Sequence, residues 1–339
     1  MFDFSIIIPA YNVEKFIVNT LESVCKNNLE NTEVIIIENG SQDKTRELIE
    51  QYFAKRQIKH YRIIYQENKG VSCARNIGIE HAQGDYLIFC DGDDLCADNM
   101  IDTISALKEN DADMLVWRYQ VSQNGKYEAT HKEFQEKILN NQNALRSFLL
   151  DGYRIRMGSF AVKKEFLDKA GIRYTEECAI AEDMEFIYKC LAKAEKVVTL
   201  NDILFTYLKR SGSVMYTFDL RRFQAPDAME RVYNYVEEST SLRSDRVLVE
   251  YLHNGLYLLH SIYSFDACIQ YLDSWKSANS FLKIYYEDFS RIEGNIKIKE
   301  KEVQMLPPVI ASKKLRLFCQ SRRLYVYYYV LKMLIKRGK

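Results

Sequence analysis

The sequence predicts an α/β fold with a Rossmann-like, mainly parallel sheet and flanking helices, followed by a mostly helical C-terminal region. Short runs that are rich in β-branched residues and apolar on both faces alternate with segments whose apolar residues recur at spacings of three and four. Such runs are typical of parallel strands covered on both sides, and the spacing is typical of helices. Their alternation favours a sheet that binds ligands at the carboxyl ends of its strands.

The individual elements follow from the same two patterns. The predicted strands, in chain order, are residues 4–9, 34–37, 61–65, 86–90, 114–117 and 203–208. The predicted helices are residues 13–24, 48–53, 71–82 and 182–192. Beyond Thr217 the chain becomes mostly helical and rich in Tyr and Leu, so we place a boundary there between domains 1–217 and 218–339.

The composition bounds the class of protein. The chain has 339 residues, of which 47% are hydrophobic and 28% charged, as in globular proteins. Its formal net charge is zero, so we expect no general attraction to nucleic acid. The eight cysteines include no Cys-x-x-Cys pair, and residues 1–10 lack the features of a secretion signal. We therefore expect reduced thiols, a cytoplasmic location and, with no apolar stretch of roughly 18 residues, no membrane span.

An acidic segment, Asp91-Gly92-Asp93-Asp94, directly follows the strand predicted at 86–90. Clustered carboxylates repel one another unless a positive charge neutralises them. Mg²⁺ and Mn²⁺ favour oxygen ligands and bind one or two carboxylates together with phosphate oxygens. The segment therefore indicates a site for a divalent cation and a diphosphate, with a solvated acidic turn as the alternative.

Two further polar segments follow strands at the same predicted edge of the sheet. Pro9-Ala10-Tyr11-Asn12 ends the first strand, and Glu38-Asn39 follows the second. Tyr11 can stack on a nucleotide base, and Glu38 or Asn39 can hydrogen-bond its edge. An ordinary turn containing Asn12 is the alternative interpretation of the first segment.

Four segments in this order resemble the start of the inverting glycosyltransferases of family 2, which have the GT-A fold. They are SIIIPAYN (5–12), ENGSQD (38–43), NKGVSCARNIG (68–78) and GDYLIFCDGDD (84–94). The likeness is strong to about residue 115 and patchy to about residue 215. It implies transfer of a sugar from a nucleotide sugar, with a UDP-sugar as first choice. The implied acceptor is a saccharide or a lipid-linked oligosaccharide, as in bacterial polysaccharide or capsule synthesis.

The resemblance also implies the roles of individual residues. Those implied to bind the nucleotide sugar are Pro9, Ala10, Tyr11, Asn12, Glu38, Asn39, Asn68, Arg75, Asp91, Gly92, Lys209, Arg210 and Ser213. Asp91 and Asp93 would hold Mn²⁺ or Mg²⁺. Family members often have Asp where this chain has Asn39, and an amide that also donates would alter base preference. Arg75 would approach the diphosphate or the sugar, with a surface salt bridge as the alternative.

The pair Glu182-Asp183 matches the acidic pair at a helix start that supplies the catalytic base in this family, and we assign that role to Asp183. A carboxylate within reach of the acceptor hydroxyl can remove its proton. Stabilisation of a helix N-terminus by acidic residues is the alternative. The presence of both acidic groups disfavours a non-catalytic subunit that binds glycans or partners with a degenerate GT-A fold.

A basic segment precedes the C-terminal region. Tyr207, Arg210 and Ser213 match a stretch that closes over the diphosphate in family members, so Lys209 and Arg210 would neutralise the leaving diphosphate. A basic surface loop is the alternative. The Gln-x-x-Arg-Trp signature of processive members is absent, so we expect one sugar per encounter. Residues 158–160 fall where the family binds its acceptor, with a structural turn as an equal alternative.

The tail, residues 313–339, contains nine Lys or Arg and no Asp or Glu among many Tyr and Leu. This composition is typical of a helix lying on an anionic membrane surface, which would place the protein at the inner face of the cell membrane. A helix packed on the protein body and a contact within a homo-oligomer are the alternatives.

Overall fold

The computed structural model describes residues 2–56, 58–129, 133–135, 137–209, 218–238, 242–302 and 313–336. The chain divides into two compact units, residues 1–210 and residues 211–339. All described strands belong to the first unit, and the described elements of the second are helical. The predicted α/β fold with a helical C-terminal region is therefore confirmed.

The described part of the first unit contains ten strands in one sheet. They are β1 (Phe2–Ala10), β2 (Thr32–Glu38), β3 (Tyr61–Tyr65), β4 (Gly84–Phe89), β5 (Leu95–Cys96), β6 (Met114–Gln123), β7 (Lys126–Ala129), β8 (Ile138–Leu139), β9 (Phe160–Lys163) and β10 (Val197–Leu208). Their order is β3-β2-β1-β4-β9-β6-β10-β5, with β7 beside β6 and β8 beside β10. All six predicted strands are present, and the one predicted at residues 203–208 is the end of the longer strand β10.

The sheet is parallel where the sequence pattern is clearest and mixed beyond it. β1 runs parallel to β2 and β4, and β2 runs parallel to β3, whereas β9 is antiparallel to both β4 and β6. Every residue of β2 is buried. Ile7 of β1 is aligned with Ile35 of β2 and Phe89 of β4, so the apolar runs form the centre of the sheet.

Seven α-helices are described in the first unit. They are α1 (Ile17–Cys25), α2 (Thr45–Ala54), α3 (Val71–His81), α4 (Met100–Ser105), α5 (Asn141–Leu149), α6 (Lys164–Ala170) and α7 (Glu182–Lys193). All four predicted helices are among them, but the first begins at Ile17 and not at Val13. The N–H of Val13 donates to Thr45 Oγ1 (2.8 Å) and that of Glu14 to Asp43 Oδ2 (3.1 Å), so side chains hold this segment as a turn.

The second unit has an aromatic core. Its described α-helices are α8 (Gln224–Glu237), α9 (Arg246–Glu250), α10 (Leu256–Ile269), α11 (Trp275–Asp288), α12 (Ser290–Glu302), α13 (Lys313–Gln320) and α14 (Arg322–Lys336). The rings of Phe223, Phe265 and Tyr285 pack together at its centre, and Phe318 of α13 adds to them. Buried Arg322 of α14 pairs with Glu293 (2.6 Å). Both helices of the tail therefore pack on this unit.

All eight cysteines are free thiols. Among the described residues, none of the helices combines the length and the apolar character needed to cross a bilayer.

Candidate active site

The carboxyl ends of the first parallel strands meet at one edge of the sheet. Ala10 at the end of β1 is aligned with Glu38 at the end of β2, which in turn is aligned with Tyr65 at the end of β3. The N–H of Gly92, just beyond β4, donates to the carbonyl of Pro9 (3.2 Å). The three polar segments that follow β1, β2 and β4 therefore lie side by side, as the strand pattern predicts.

Hydrogen bonds join the turn after β1 to the turn after β2. Asn12 has a left-handed backbone (φ 51°); its N–H donates to Ser41 Oγ (3.2 Å), and its Oδ1 accepts from the N–H of Gln42 (2.8 Å). Asn tolerates this conformation better than most residues. Tyr11, which precedes Asn12 in this turn, is 41% exposed. An exposed ring on a fixed turn can stack on a base, the role expected of Tyr11.

Buried polar side chains shape the turn after β2. Glu38 Oε1 accepts from the N–H of Ser41 (2.7 Å). Asn39 Oδ1 accepts from Gln66 Nε2 (2.6 Å), while Asn39 Nδ2 donates to the carbonyl of Gly70 (3.4 Å) and to Asn68 Oδ1 (3.4 Å). A carboxylate at position 39 could accept but could not donate these bonds. The amide therefore ties the segment of Asn68, which is itself exposed, to the edge of the sheet.

The acidic segment after β4 is held in place from two sides. A Cβ atom at Gly92 would lie 3.1 Å from the carbonyl oxygen of Pro9, so glycine permits the close approach of this segment to β1. Asp94 is buried, and its Oδ1 accepts from the N–H of Leu208 (2.8 Å) at the end of β10. Burial, reinforced by the nearby charges of Asp93 and Asp91, raises the pKa of Asp94 well above its ordinary value. Asp94 thus fixes the segment, and Asp91 and Asp93 are less buried.

Arg75 joins the two acidic groups that the sequence singles out. This α3 side chain is 3% exposed; its Nη2 donates to Asp91 Oδ1 (2.8 Å) and its Nη1 to Glu182 Oε1 (3.1 Å). The guanidinium also lies over the ring of Tyr174 (5.3 Å to the centroid). Burial alone would lower the pKa of Arg75, but Asp91, Tyr174 and Glu182 raise it overall, so the group stays charged. The structure places the buried Arg75 side chain in ion pairs that link the segment after β4 to α7.

The helix α7 presents Glu182 and Asp183 at its N-terminus. The preceding Ala181 is left-handed (φ 67°) and makes no side-chain cap. Asp183 Oδ1 accepts from the N–H of Met184 (2.8 Å), so one oxygen contacts the helix end in the manner of the structural alternative. Burial and the charge of Asp183 raise the pKa of Glu182 to about 7 against the opposing effect of Arg75. Through its contact with Arg75, Glu182 is close to the acidic segment, which is expected to bind the diphosphate.

A second cation, the half-buried Arg156, was not predicted from the sequence. Its guanidinium lies over the ring of Tyr207 (4.2 Å to the centroid). Burial lowers the pKa of Arg156, but Tyr119 and Asp183 raise it overall. The positive charge of Arg156 in turn opposes the rise in the pKa of Asp94. Arg156 therefore interacts with one carboxyl group of the acidic segment and one of α7. Its place just before residues 158–160, the segment compared with acceptor binding, is the signal that could have found it.

The basic segment after β10 is described only in part. Lys209 follows β10, and its N–H donates to the carbonyl of Ser122 (2.8 Å). Because Leu208 binds Asp94, Lys209 is next to a residue that contacts the acidic segment. Arg210 and Ser213 lie outside the described residues.

The donors of the acidic segment fit a divalent cation only together with a ligand. In the part of the chain that the structure describes, no three His, Cys, Asp or Glu side chains are grouped to hold a metal ion. Asp91 engages Arg75 through Oδ1 and is 31% exposed. Two carboxylates that phosphate oxygens complete suit the coordination habits of Mg²⁺ and Mn²⁺.

Comparison with known proteins gives concordant matches. The family model described as Glycosyl transferase family 2 matches residues 5–171. Glycosyltransferase GlyG of Streptococcus pneumoniae serotype 4 is 30% identical over 238 residues, which cover 64% of this chain and 74% of GlyG. The chain spans 62% or less of the length of three further curated relatives.

Two solved structures share the fold at low sequence identity. S. aureus TarS 1–349 in complex with UDP-GlcNAc has a TM-score of 0.69 at 19% identity, covering 99% of this chain and 92% of that one. Mannosyltransferase PcManGT from Pyrobaculum calidifontis, in complex with GDP-Man and Mn²⁺, has a TM-score of 0.52 at 13% identity, covering 98% and 87%.

Proposed function

Because this chain belongs to glycosyl transferase family 2, we propose that it moves a sugar from a UDP-sugar to a hydroxyl group of a saccharide acceptor, with inversion and one sugar per encounter. The observation that carries the proposal is the pair of contacts made by Arg75. One guanidinium holds Asp91 at 2.8 Å and Glu182 at 3.1 Å, although 91 positions separate the two carboxylates in the sequence. The acidic segment after β4, which is proposed to bind the diphosphate, is therefore adjacent to α7, which bears the proposed base.

The proposed reaction is a direct displacement at the anomeric carbon. Asp183 removes the proton of the acceptor hydroxyl as its oxygen attacks the anomeric carbon. The bond between that carbon and the diphosphate oxygen breaks, and UDP leaves with the electron pair. Attack from the face opposite the leaving group inverts the configuration. Arg75 holds Asp91 and Glu182 in place during this step, and Arg156 contributes positive charge that acts on Asp183.

The donor is bound at the carboxyl ends of β1, β2 and β4 in this proposal. Tyr11 stacks on the base, while Glu38 and the segment of Asn39 and Asn68 surround the base and ribose. Asp91 and Asp93 would hold Mn²⁺ or Mg²⁺ together with the diphosphate, and a cation there would supply positive charge to the leaving group. Lys209, Arg210 and Ser213 would bind the diphosphate in this proposal.

The donor sugar is a hexose or an N-acetylhexosamine. The UDP-GlcNAc complex of TarS supports the choice of UDP as carrier, and the Mn²⁺ complex of PcManGT supports a metal. A saccharide or lipid-linked oligosaccharide of cell-surface polysaccharide synthesis is the proposed acceptor. A non-catalytic subunit that binds glycan is the alternative; it would lack donor turnover.

A donor screen tests this proposal. We expect UDP-hexoses and UDP-N-acetylhexosamines to raise the thermal midpoint of the wild type in the presence of Mn²⁺ or Mg²⁺, and to lose that effect in EDTA. Asp93→Ala should bind UDP at least about tenfold more weakly with metal, because it removes a metal ligand. Asp85→Ala changes an exposed aspartate within β4 and is the matched control. Binding that needs no metal would contradict the metal site, and no response to any UDP-sugar would contradict the donor.

A further inference from the structure

The outer surface of α14 carries an exposed apolar stripe. Leu324, Tyr328, Leu331 and Ile335 are 57%, 50%, 47% and 68% exposed. Their spacings of four, three and four place them on one face of a helix, over a length of about 17 Å at 1.5 Å per residue. Large apolar side chains that are exposed side by side on a protein surface often mark an interaction site.

The opposite face of the same helix is buried in the second unit. Tyr325, Val326 and Val330 are each 0% exposed. Arg322 is held by Glu293 and Glu300, so the helix is fixed on its inner side. The stripe is therefore the outer surface of a docked helix and not the core face of an unpacked one.

Basic and aromatic side chains border the stripe. Exposed Arg323 and Lys332 lie on either side of it by helical geometry. Their cations rest against the rings of Tyr286 (5.3 Å) and Tyr329 (5.8 Å), respectively. Trp275, 45% exposed, contacts the ring of Tyr327 on the same helix (5.7 Å between centroids).

We propose that this stripe is a membrane-contacting surface that lies flat on anionic lipid. Apolar residues would enter the boundary of the acyl chains, while Arg323 and Lys332 stay at the level of the phosphates. Trp275 has the amphipathic ring that is favoured at that depth. This inference goes beyond the proposed transfer reaction, and its test requires no turnover.

The charge of the tail favours lipid over a second copy of the chain. Residues 313–339 contain nine basic residues and no acidic ones, and of these Arg322 and Lys314 are paired with acidic residues of the same unit. A symmetric contact would bring two such surfaces together and would be opposed by their repulsion. An anionic bilayer is instead attracted by the same charges.

Vesicle sedimentation with the full chain tests the proposal. We expect the wild type to bind vesicles of equal parts phosphatidylcholine and phosphatidylglycerol, and not vesicles of phosphatidylcholine alone. The double variant Leu331→Gln, Ile335→Gln should bind at least about tenfold more weakly, because it removes apolar area that would enter the bilayer. The variant Arg323→Gln, Lys332→Gln should bind more weakly and with less dependence on salt.

The matched control is Ile138→Gln, Ile298→Gln, in which two isoleucines that are each 55% exposed elsewhere are changed. This control should bind as the wild type does. Absence of wild-type binding, equal binding by the stripe variants, or equal loss in the control would overturn the proposal. A second result would also overturn it: the wild type does not bind vesicles, and light scattering shows that it is a dimer. In that case the double variant Leu331→Gln, Ile335→Gln would be a monomer. Thermal midpoints verify folding, and the charge variant tests the surface independently if the apolar variant is unstable.

Discussion

Arg75 and Arg156 each interact with one carboxyl group after β4 and one at the start of α7. Arg75 is in contact with Asp91 and Glu182, and Arg156 acts on Asp94 and Asp183. A buried carboxylate without a partner is costly, so the two cations allow acidic groups to be concentrated at this edge of the sheet. The two arginines are fewer than the carboxylates around them, so they neutralise only part of the negative charge. The remaining negative charge suits a metal cation.

Replacement of Arg75 by methionine should destabilise the protein by about 3 kcal/mol, because Glu182 would remain buried without its partner. The free energy of unfolding from urea titrations measures this. Arg56→Met is the control, since its pair with Glu22 is 44% exposed on both sides and should be worth no more than about 1 kcal/mol. Equal effects of the two changes would contradict the structural role of Arg75.

Replacement of Arg156 by glutamine should lower kcat for sugar transfer at least about tenfold, because a fixed charge beside Asp183 is removed. Arg156→Lys should restore part of the rate, and the dissociation constant for UDP should change little in both variants. Arg154→Gln, an exposed arginine two positions away, is the control. A loss of UDP affinity with unchanged kcat would show that Arg156 acts on the donor and not on the base.

At the scale of elements, the edge of the sheet is assembled from loops held by one another. β10 reaches the acidic segment through the bond from Leu208 to Asp94, and it also covers the turn before β9. In that turn Gly158 is left-handed (φ 84°), and its carbonyl accepts from Trp117 Nε1 (3.0 Å). A Cβ atom there would lie 2.2 Å from the ring of Phe205.

Gly158→Ala should therefore destabilise the protein well beyond the cost of its backbone conformation. Gly152→Ala separates the two effects, since Gly152 has nearly the same φ (83°) but no atom within 4 Å of an added Cβ. We expect about 1 kcal/mol for Gly152→Ala and at least about 3 kcal/mol for Gly158→Ala, measured by denaturant unfolding. Similar values would mean that Phe205 moves aside without cost.

The sequence was informative wherever its signal was local and periodic. The four parallel strands, α2, α3 and α7 follow from patterns within a few residues, and strand order brings Pro9, Glu38 and Asp91 to one edge. The short strands β5, β7 and β8 carry too few residues for a period. Helix α5 has one local signal in the sequence, the cap in which Asn140 Oδ1 accepts from the N–H of Asn143 (2.9 Å).

Contacts between distant segments could not be predicted in the same way. The sequence identified Arg75 and Glu182 separately, but their pairing depends on how α3 and α7 pack. Arg156 lies in an irregular segment whose path only the tertiary structure defines. Position 39 was expected to face the base, and its amide also holds Gln66 and Gly70.

At the scale of the whole molecule, the chain combines a sheet that would bind a nucleotide sugar with a helical unit that bears the proposed lipid surface. The two proposals rest on different residues and can fail separately. The first depends on a base that is close to the acidic segment, and the second on the outer face of α14.

The most direct test is release of UDP from a panel of UDP-hexoses and UDP-N-acetylhexosamines in the presence of Mn²⁺ and saccharide acceptors, with UDP binding measured on the same samples. The wild type should release UDP from at least one donor. Asp183→Asn should fold, bind UDP with unchanged affinity, and release it at least about 100-fold more slowly, because it cannot accept the proton. Wild-type turnover in Asp183→Asn would contradict the role of Asp183 as base, and release of UDP from none of the donors by the wild type would contradict the proposed transfer.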